Sequence, residues 1–166
     1  HVLNGVVVRG FDVRGNGVKG IRGAGEEYLR FIRESDFDVM LNYAAQTWTT
    51  DLVLPELGRM RLKKILAPLG YSRLHHRRYH DYFRHLPRCL ADYDRLVYTS
   101  ARYQDKLFGD AHGLESKAVI IPNGASREEF EQVSVGFKRR YGIETPYLFL
   151  TVSNHYLEKG HLFVLK

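Results

Sequence analysis

Lys159 and Gly160 have the residue types and the setting of a phosphate-binding turn. They end a polar stretch that begins with Ser153 and Asn154, and the residues that follow are apolar at helical spacing. Residues 147–152 precede this stretch and are rich in aromatic and β-branched types, which predicts a buried strand of a parallel sheet. A strand, a turn and a helix start place N–H groups and a positive dipole end at the carboxyl edge of a sheet. An anion is favoured there, and a lysine adds a mobile charge that suits phosphate. The alternative is a solvated surface lysine.

A formal G-x-G-x-x-G, the spelling of dinucleotide-binding loops, occupies residues 15–20. In such loops the glycines open a helix directly, whereas here residues 21–25 intervene before the helical pattern of residues 26–33. NAD-type binding is therefore kept only as an alternative, and the spelling predicts a flexible loop beside an acceptor cleft. Lys19 and Arg22 lie in this stretch and are candidates for contact with an anionic acceptor.

A second motif joins a predicted strand to a turn. Residues 119–121 are a β-branched run, Pro122 prevents further strand pairing, and Asn123-Gly124 favours a turn with positive φ. Together with the lysine turn, this segment resembles the GT-B glycosyltransferases of the family-four kind. Those enzymes carry an I-P-N-G segment at the junction of their domains and, about thirty residues later, a strand and a G-R-x-x-x-x-K-G-h turn. Here that turn is spelled S-N-H-Y-L-E-K-G-H, and the resemblance covers about residues 93–166.

The resemblance implies an α/β protein with a Rossmann-like parallel sheet and flanking helices, followed by the first β-α step of a second domain. Residues 1–122 would be the N-terminal, acceptor-side domain, incomplete at its start. Residues 123–146 would join the domains, and residues 147–166 would be the truncated start of the C-terminal, donor-binding domain. We expect the chain to be part of a longer protein and to be inactive by itself.

The activity that the resemblance implies is transfer of a sugar from a nucleoside-diphosphate sugar to a hydroxyl group, with retention of configuration. The acceptor would be a glycan, a lipid-linked molecule or another small molecule. The resemblance implies no metal and no other cofactor.

The resemblance also assigns residues to the donor and to the cleft. Asn154 stands where the family has an arginine, so it can donate hydrogen bonds but supplies no charge. Asn123 and Gly124 are implied to line the cleft between the domains. No catalytic residue is assigned, because Leu69-Gly70-Tyr71-Ser72 occupies the loop in which the family often has a histidine. The implied donor-binding residues are Ser153, Asn154, Lys159 and Gly160.

The acceptor side has four candidate residues. A strand is predicted over residues 37–43, with Asn42 near its C-terminal end and Gln46 shortly after it. Both residues are therefore at the edge where an α/β sheet presents polar groups to ligands. Lys19 and Arg22, from the glycine-rich stretch, complete this set.

Residues 59–88 hold the main concentration of basic side chains, opposed by the single acid Asp81. His76 and His80 have helical i, i+4 spacing, but no acid or cysteine is placed to complete a metal site. Three interpretations remain open: solvated charge, attraction to anionic lipid or a phosphorylated acceptor, and nucleic acid. The absence of an RNA-binding or zinc-finger signature disfavours nucleic acid. The basic residues are Arg59, Arg61, Lys63, Lys64, Arg73, His75, His76, Arg77, Arg78, His80, Arg84, His85 and Arg88.

This basic region gives the main alternative to an enzyme, a binding module for nucleic acid or for an anionic membrane surface. In the enzyme hypothesis it would instead give peripheral contact with an anionic membrane.

Composition sets the remaining expectations. With 166 residues, 44% hydrophobic and 27% charged, the chain is predicted to be globular, and length alone predicts one domain. The net charge of +6 indicates anionic partners. No apolar run has the length of a membrane span. The single cysteine, Cys89, suits a reducing compartment, so we expect a cytoplasmic protein.

Overall fold

The computed structural model describes residues 1–131, 136–155 and 159–165, and it divides the chain into two compact units, His1–Asn123 and Gly124–Lys166. The boundary lies within the Asn123-Gly124 pair that follows the last strand of the first unit. None of the helices in the described ranges has the length and apolar character needed to cross a membrane.

Two antiparallel hairpins begin the first unit. The second one contains the G-x-G-x-x-G spelling, so residues 15–20 join two strands and do not form a dinucleotide-binding turn. Gly15 and Gly23 both have φ +98°, and a Cβ on either would lie 2.0 Å from a carbonyl oxygen in the facing segment of the same hairpin. The glycines therefore allow the close approach of the two paired strands, and the prediction of a flexible loop here is wrong. The strands are β1 (Val2–Leu3), β2 (Val6–Val7), β3 (Val13–Asn16) and β4 (Gly20–Gly23).

A four-stranded parallel sheet forms the centre of the first unit, and its strands are adjacent in chain order. Residues 37–43 and 119–121, which are predicted to be strands, both contribute strands to this sheet. Residues 64–68 and 93–100, whose apolar runs also predict strands, contribute the other two. The prediction of an α/β protein with a parallel sheet and flanking helices is confirmed at this level. The strands are β5 (Val39–Tyr43), β6 (Lys63–Ala67), β7 (Arg95–Tyr98) and β8 (Ala118–Ile120).

One face of this sheet is packed and the other is open. Asn42, Leu66 and Leu96 are successive register partners, and all three are buried. Leu41 and Tyr43, which point to the other face because strand side chains alternate, are 57% and 65% exposed.

Helices supply the packed face of the sheet with its apolar partners. Val53 and Leu57 have no exposed surface, and Phe83 and Leu86 are buried in the same hydrophobic core. Pro55 lies at the start of a 3-10 helix, Leu54–Arg59, which continues the second α-helix. The α-helices of this unit are α1 (Gly25–Glu34), α2 (Trp48–Val53), α3 (His80–Leu90) and α4 (Gln104–Ala111).

The second unit contains short helices, and no strand lies among its described residues. The strand predicted over residues 147–152 is wrong, and with it the β part of the expected β-α step. Phe149 is 90% exposed and Val152 is 84% exposed. A strand needs a partner for its backbone hydrogen bonds, and the described residues of this unit provide none. The helices are α5 (Glu128–Glu131), α6 (Phe137–Arg140) and α7 (His161–Val164).

Candidate functional site

The loops after β5 and β6 are joined at the carboxyl edge of the sheet. The N–H of Ala44 donates to the carbonyl of Ala67 at 2.9 Å, which extends the ladder beyond the strands. The Gln46 side chain then brackets Ser72: Nε2 donates to the Ser72 carbonyl at 2.9 Å, and Oε1 accepts from the Ser72 N–H at 2.8 Å. Open α/β sheets bind ligands outside the carboxyl ends of their strands. This edge is therefore the candidate site of the first unit.

Backbone strain is concentrated at the same edge. Left-handed conformations cost non-glycine residues about 1–3 kcal/mol each and cluster at binding sites. Among the described residues, five non-glycine residues have positive φ, and four of them are in these two loops. Their φ values lie between +58° and +72°. The bracket between Gln46 and Ser72 holds two of the strained segments together. The four residues are Ala44, Gln46, Leu69 and Arg73.

The start of α4 fixes the loop after β6. Gly70 has φ +92°, and its N–H donates to Oδ2 of Asp105 at 2.8 Å. A Cβ on Gly70 would lie 2.7 Å from the Tyr103 ring, so a larger residue would have to displace that ring as well as adopt a strained positive φ. Nε2 of Gln104 donates to the Tyr71 carbonyl at 2.7 Å. Three successive residues of one helix start thus hold the loop in which the resembling family often carries a histidine.

The turn of the β3–β4 hairpin lies against this edge. Oδ1 of Asn16 accepts from the N–H groups of Val18 and Lys19 at 3.1 and 2.8 Å, which closes the turn. Nδ2 of Asn16 donates to the carbonyl of Gln46 at 3.2 Å. The turn that carries Lys19 is therefore a neighbour of the loop that carries Gln46, two residues that were predicted separately as acceptor-side candidates.

Asp51 on α2 completes the attachment of the hairpin turn. Its Oδ2 accepts from the Gly17 N–H at 2.7 Å, and its Oδ1 accepts from the Tyr82 hydroxyl at 2.8 Å. Burial raises the pKa of Asp51, and the two hydrogen bonds oppose this effect. Burial and the adjacent Asp51 charge both raise the pKa of Tyr82. The carboxylate therefore links α2, α3 and the hairpin turn.

Asp51 also lines an open groove of about 460 Å³ between the hairpin turn and α3. Arg78, His85 and Cys89 are on its other side. A buried acid with a raised pKa is a candidate proton acceptor. Here both of its oxygens already accept hydrogen bonds, so its role is to position the turn. Sequence reasoning missed Asp51; the available signal was a single acid in an otherwise uncharged helical segment.

The other predicted acceptor-side residues occupy different environments. Asn42 is only 4% exposed, and its Oδ1 accepts from the Tyr93 hydroxyl at 2.8 Å inside the core. Its side-chain amide is therefore hydrogen-bonded inside the core and is not exposed to solvent. Lys19 and Arg22 are exposed on the hairpin. Of the four candidates, the structure brings together Gln46 and the Lys19 turn, and it keeps Asn42 apart from them.

In the second unit, the first two predicted donor-binding residues lie beside the start of α7. Oγ of Ser153 is 2.9 Å from Nε2 of His161, and the same nitrogen is 3.2 Å from the carbonyl oxygen of Asn154. Gly160 has φ +75° and immediately precedes the helix, and Lys159 is exposed. Residues 156–158 of the predicted turn lie outside the described residues.

The predicted cleft residues are at the ends of the two units. Asn123 is the last residue of the first unit, Gly124 is the first of the second, and both are exposed. Within the ranges that the structure describes, no group of three His, Cys, Asp or Glu side chains could hold a metal ion. Neither a comparison with protein-family models nor searches of curated proteins and of solved structures find a match for this chain.

Proposed function

We propose that the chain is the acceptor-side domain and the beginning of the donor-binding domain of a glycosyltransferase that uses a nucleoside-diphosphate sugar. One observation carries this proposal. The last strand of the parallel sheet, β8, is followed at once by Ile121-Pro122-Asn123-Gly124, and the chain passes from one compact unit to the other inside this segment. A break between units at an I-P-N-G segment is what the resemblance implies for a two-domain transferase.

The proposed chemistry uses a different group of residues in each unit. A diphosphate leaving group gains negative charge as the bond to the sugar breaks, and cations and N–H groups stabilise it. Lys159 supplies the charge, and Ser153 and Asn154 supply hydrogen-bonding groups beside the start of α7. The acceptor hydroxyl binds at the carboxyl edge of the first unit, near Gln46 and Ser72, where the backbone is strained and rigidly held.

The experiment that tests this function is a transfer assay on the full gene product that carries residues 1–166. The protein is incubated with UDP-, GDP-, ADP- and dTDP-linked hexoses and a panel of sugar and polyol acceptors, and the released nucleoside diphosphate and the new glycoside are measured. We expect one donor class to give both products in equal amounts. Failure of every donor to release a nucleoside diphosphate would refute the proposal.

A second candidate function is favoured by the exposed side of the segment from residue 73 to residue 88. Five arginines on it are exposed, and the single acid, Asp81, pairs with Arg84 at 3.1 Å in an exposed ion pair. The aromatic side chains of the same segment point inward: Tyr79 is 5% exposed and Phe83 is 6% exposed. Binding of single-stranded nucleic acid uses exposed aromatic residues for stacking, whereas an anionic bilayer needs only the charge. The arginines are Arg73, Arg77, Arg78, Arg84 and Arg88.

We therefore propose peripheral contact of this surface with anionic membranes, either as an accessory to transfer or as the function of a binding module. Co-sedimentation with vesicles of phosphatidylserine and phosphatidylcholine tests it. We expect binding that falls steeply as salt rises and that is weakened by Arg77→Gln with Arg88→Gln. Equal binding to neutral vesicles, or tighter binding to an oligonucleotide, would contradict it.

A further inference from the structure

Two arginines face each other on the outer side of the β3–β4 hairpin. Arg14 and Arg22 are register partners on this antiparallel ladder, so their side chains project from the same face. Directly opposed residues have Cβ atoms about 4.5–5.5 Å apart, and like charges in such a pair are destabilising. Arg14 is 3.5 Å from Asp12, but both side chains are more than 80% exposed, so the pair is weak. Among the described residues, Arg22 has no ion-pair partner.

A third cation and three glycines share this surface. Lys19, in the turn, lines the same open groove of about 450 Å³ as Arg14 and Arg22. Three cations thus surround the groove against one acid, Asp12. Gly15, Gly20 and Gly23 all have positive φ, at +98°, +87° and +98°, so the backbone conformation favours glycine at each of the three positions. The glycines leave the backbone uncovered between the cationic side chains, and a small anion can approach it closely.

The position of these cations is fixed by the rest of the unit. The hairpin turn is held by Asn16 on Gln46 and by Gly17 on Asp51. A rigid ladder with two opposed arginines keeps the charges together even though they repel each other. In the basic segment, by contrast, Arg78 lines the groove beside α3 together with two acids, Asp51 and Asp81.

We propose that the outer face of the β3–β4 hairpin binds the anionic group, phosphate or carboxylate, of a small molecule through Arg14, Lys19 and Arg22. An anion between the two arginines attracts both of them and so offsets their mutual repulsion. A guanidinium group can form two parallel hydrogen bonds to either a phosphate or a carboxylate. Under the proposed function, on which this assignment rests, the molecule is the acceptor. The acceptor is then a phosphorylated or acidic sugar or polyol and not a neutral one.

Binding can be measured on the 166-residue chain without any transfer reaction. Inorganic phosphate, glucose 6-phosphate and glucuronate are titrated into ¹⁵N-labelled protein at an ionic strength held constant with sodium chloride. We expect saturable shifts at the Gly20 amide and at the Nε–H signals of Arg14 and Arg22. The phosphate and carboxylate arms show which of the two anions the site prefers.

Two double variants with the same change in charge locate the site. Arg14→Gln with Arg22→Gln should weaken binding at least about 10-fold, since charge-assisted hydrogen bonds are lost. Arg95→Gln with Arg102→Gln, which changes two exposed arginines of the first unit that do not line this groove, should leave it unchanged. Equal weakening by both pairs, or shifts spread over the basic segment in proportion to its charge, would overturn the proposal because binding would then follow net charge only.

Thermal unfolding gives a second readout that a structural role alone would not produce. In sodium chloride, Arg14→Gln should raise the melting temperature, because it removes the repulsion with Arg22. Phosphate should stabilise the natural chain more than this variant. A variant that is less stable in both solutions would contradict the inference.

The outcomes also separate this inference from the proposed function. Phosphate bound at the hairpin, in a gene product that binds no nucleoside-diphosphate sugar, would leave the site standing and refute the transferase. Transfer to neutral acceptors only, with no phosphate binding, would refute the anion site and leave the transferase proposal standing.

Discussion

Replacing Asp51 tests how the hairpin turn is held against the sheet. In Asp51→Ala, the Gly17 N–H and the Tyr82 hydroxyl both lose their acceptor, at 2.7 and 2.8 Å in the natural chain. A hydrogen bond to a charged group contributes about 1.5–3 kcal/mol, and a buried donor left unpaired costs about 1–3 kcal/mol. Removing the desolvated carboxylate offsets part of the loss. We expect a net cost of about 3 kcal/mol in the free energy of unfolding.

Asp51→Asn is the matched control for this prediction. The amide keeps an oxygen that can accept from Gly17, and its NH₂ group can donate to the Tyr82 oxygen, because a tyrosine hydroxyl both donates and accepts. It also carries no buried charge. We therefore expect this variant to lie within about 1 kcal/mol of the natural chain at neutral pH. Tyr82→Phe should cost about 1–3 kcal/mol alone and much less in the Asp51→Ala background.

Urea unfolding followed by the fluorescence of Trp48 suits these measurements. Trp48 is the single tryptophan of the chain and begins α2, the helix that carries Asp51. Its ring packs edge-on against Tyr28 at a centroid distance of 5.1 Å, so unfolding will change its emission. Equal costs for Asp51→Ala and Asp51→Asn, or no coupling between Asp51 and Tyr82, would refute the role assigned to this carboxylate.

Three further predictions concern stability. Burial raises the pKa of Asp51, so the stability that this group contributes is present at acidic pH and is lost as pH rises through the folded-state pKa. Asp51→Asn should therefore become more stable relative to the natural chain as pH rises from the ordinary aspartate range through that pKa. The Lys64 N–H donates to Asp94 at 2.8 Å and lowers the pKa of this carboxyl group. The stability that the Asp94 carboxylate contributes is therefore lost as pH falls through its folded-state pKa, and the stability of Asp94→Asn should depend less on pH in the acidic range. Gly109→Ala should cost about 1–3 kcal/mol, because its Cβ would lie 2.4 Å from the buried Tyr98 hydroxyl; Gly58→Ala, with no contact below 3.4 Å, is the control, and urea unfolding compares them.

The strands of the first unit were predictable because their local sequence and their surroundings agree. Residues 37–43, 64–68, 93–100 and 119–121 each contain a run of apolar residues, and each has a neighbouring strand to pair with. Residues 147–152 have the same composition but no such neighbour among the described residues of their unit. Composition gives a preference for extended backbone, whereas a strand also requires a partner. The sequence pattern of a single segment carries no information about that partner.

The candidate site was only partly predictable, for similar reasons. The edge that holds Gln46 was predictable because Gln46 directly follows a predicted strand. Alternation along a strand does not show which face is covered, however, and Asn42 is on the covered face. Glycines at 15, 17 and 20 suit a phosphate loop as well as a hairpin, since both need positive φ or close backbone approach. Asp51 and Asp105 bind backbone N–H groups of distant loops, and these contacts exist only in the folded chain.

Isothermal titration of the donor into the full gene product is the most direct test of the claim that the turn ending at Lys159 holds a diphosphate. Lys159→Ala is compared with Arg139→Ala, which removes one exposed positive charge from the same unit. Loss of a charge-assisted contact of about 1.5–3 kcal/mol should raise the Kd of the nucleoside-diphosphate sugar roughly 10- to 100-fold in Lys159→Ala and leave it unchanged in Arg139→Ala. The same Kd in both variants would contradict the account.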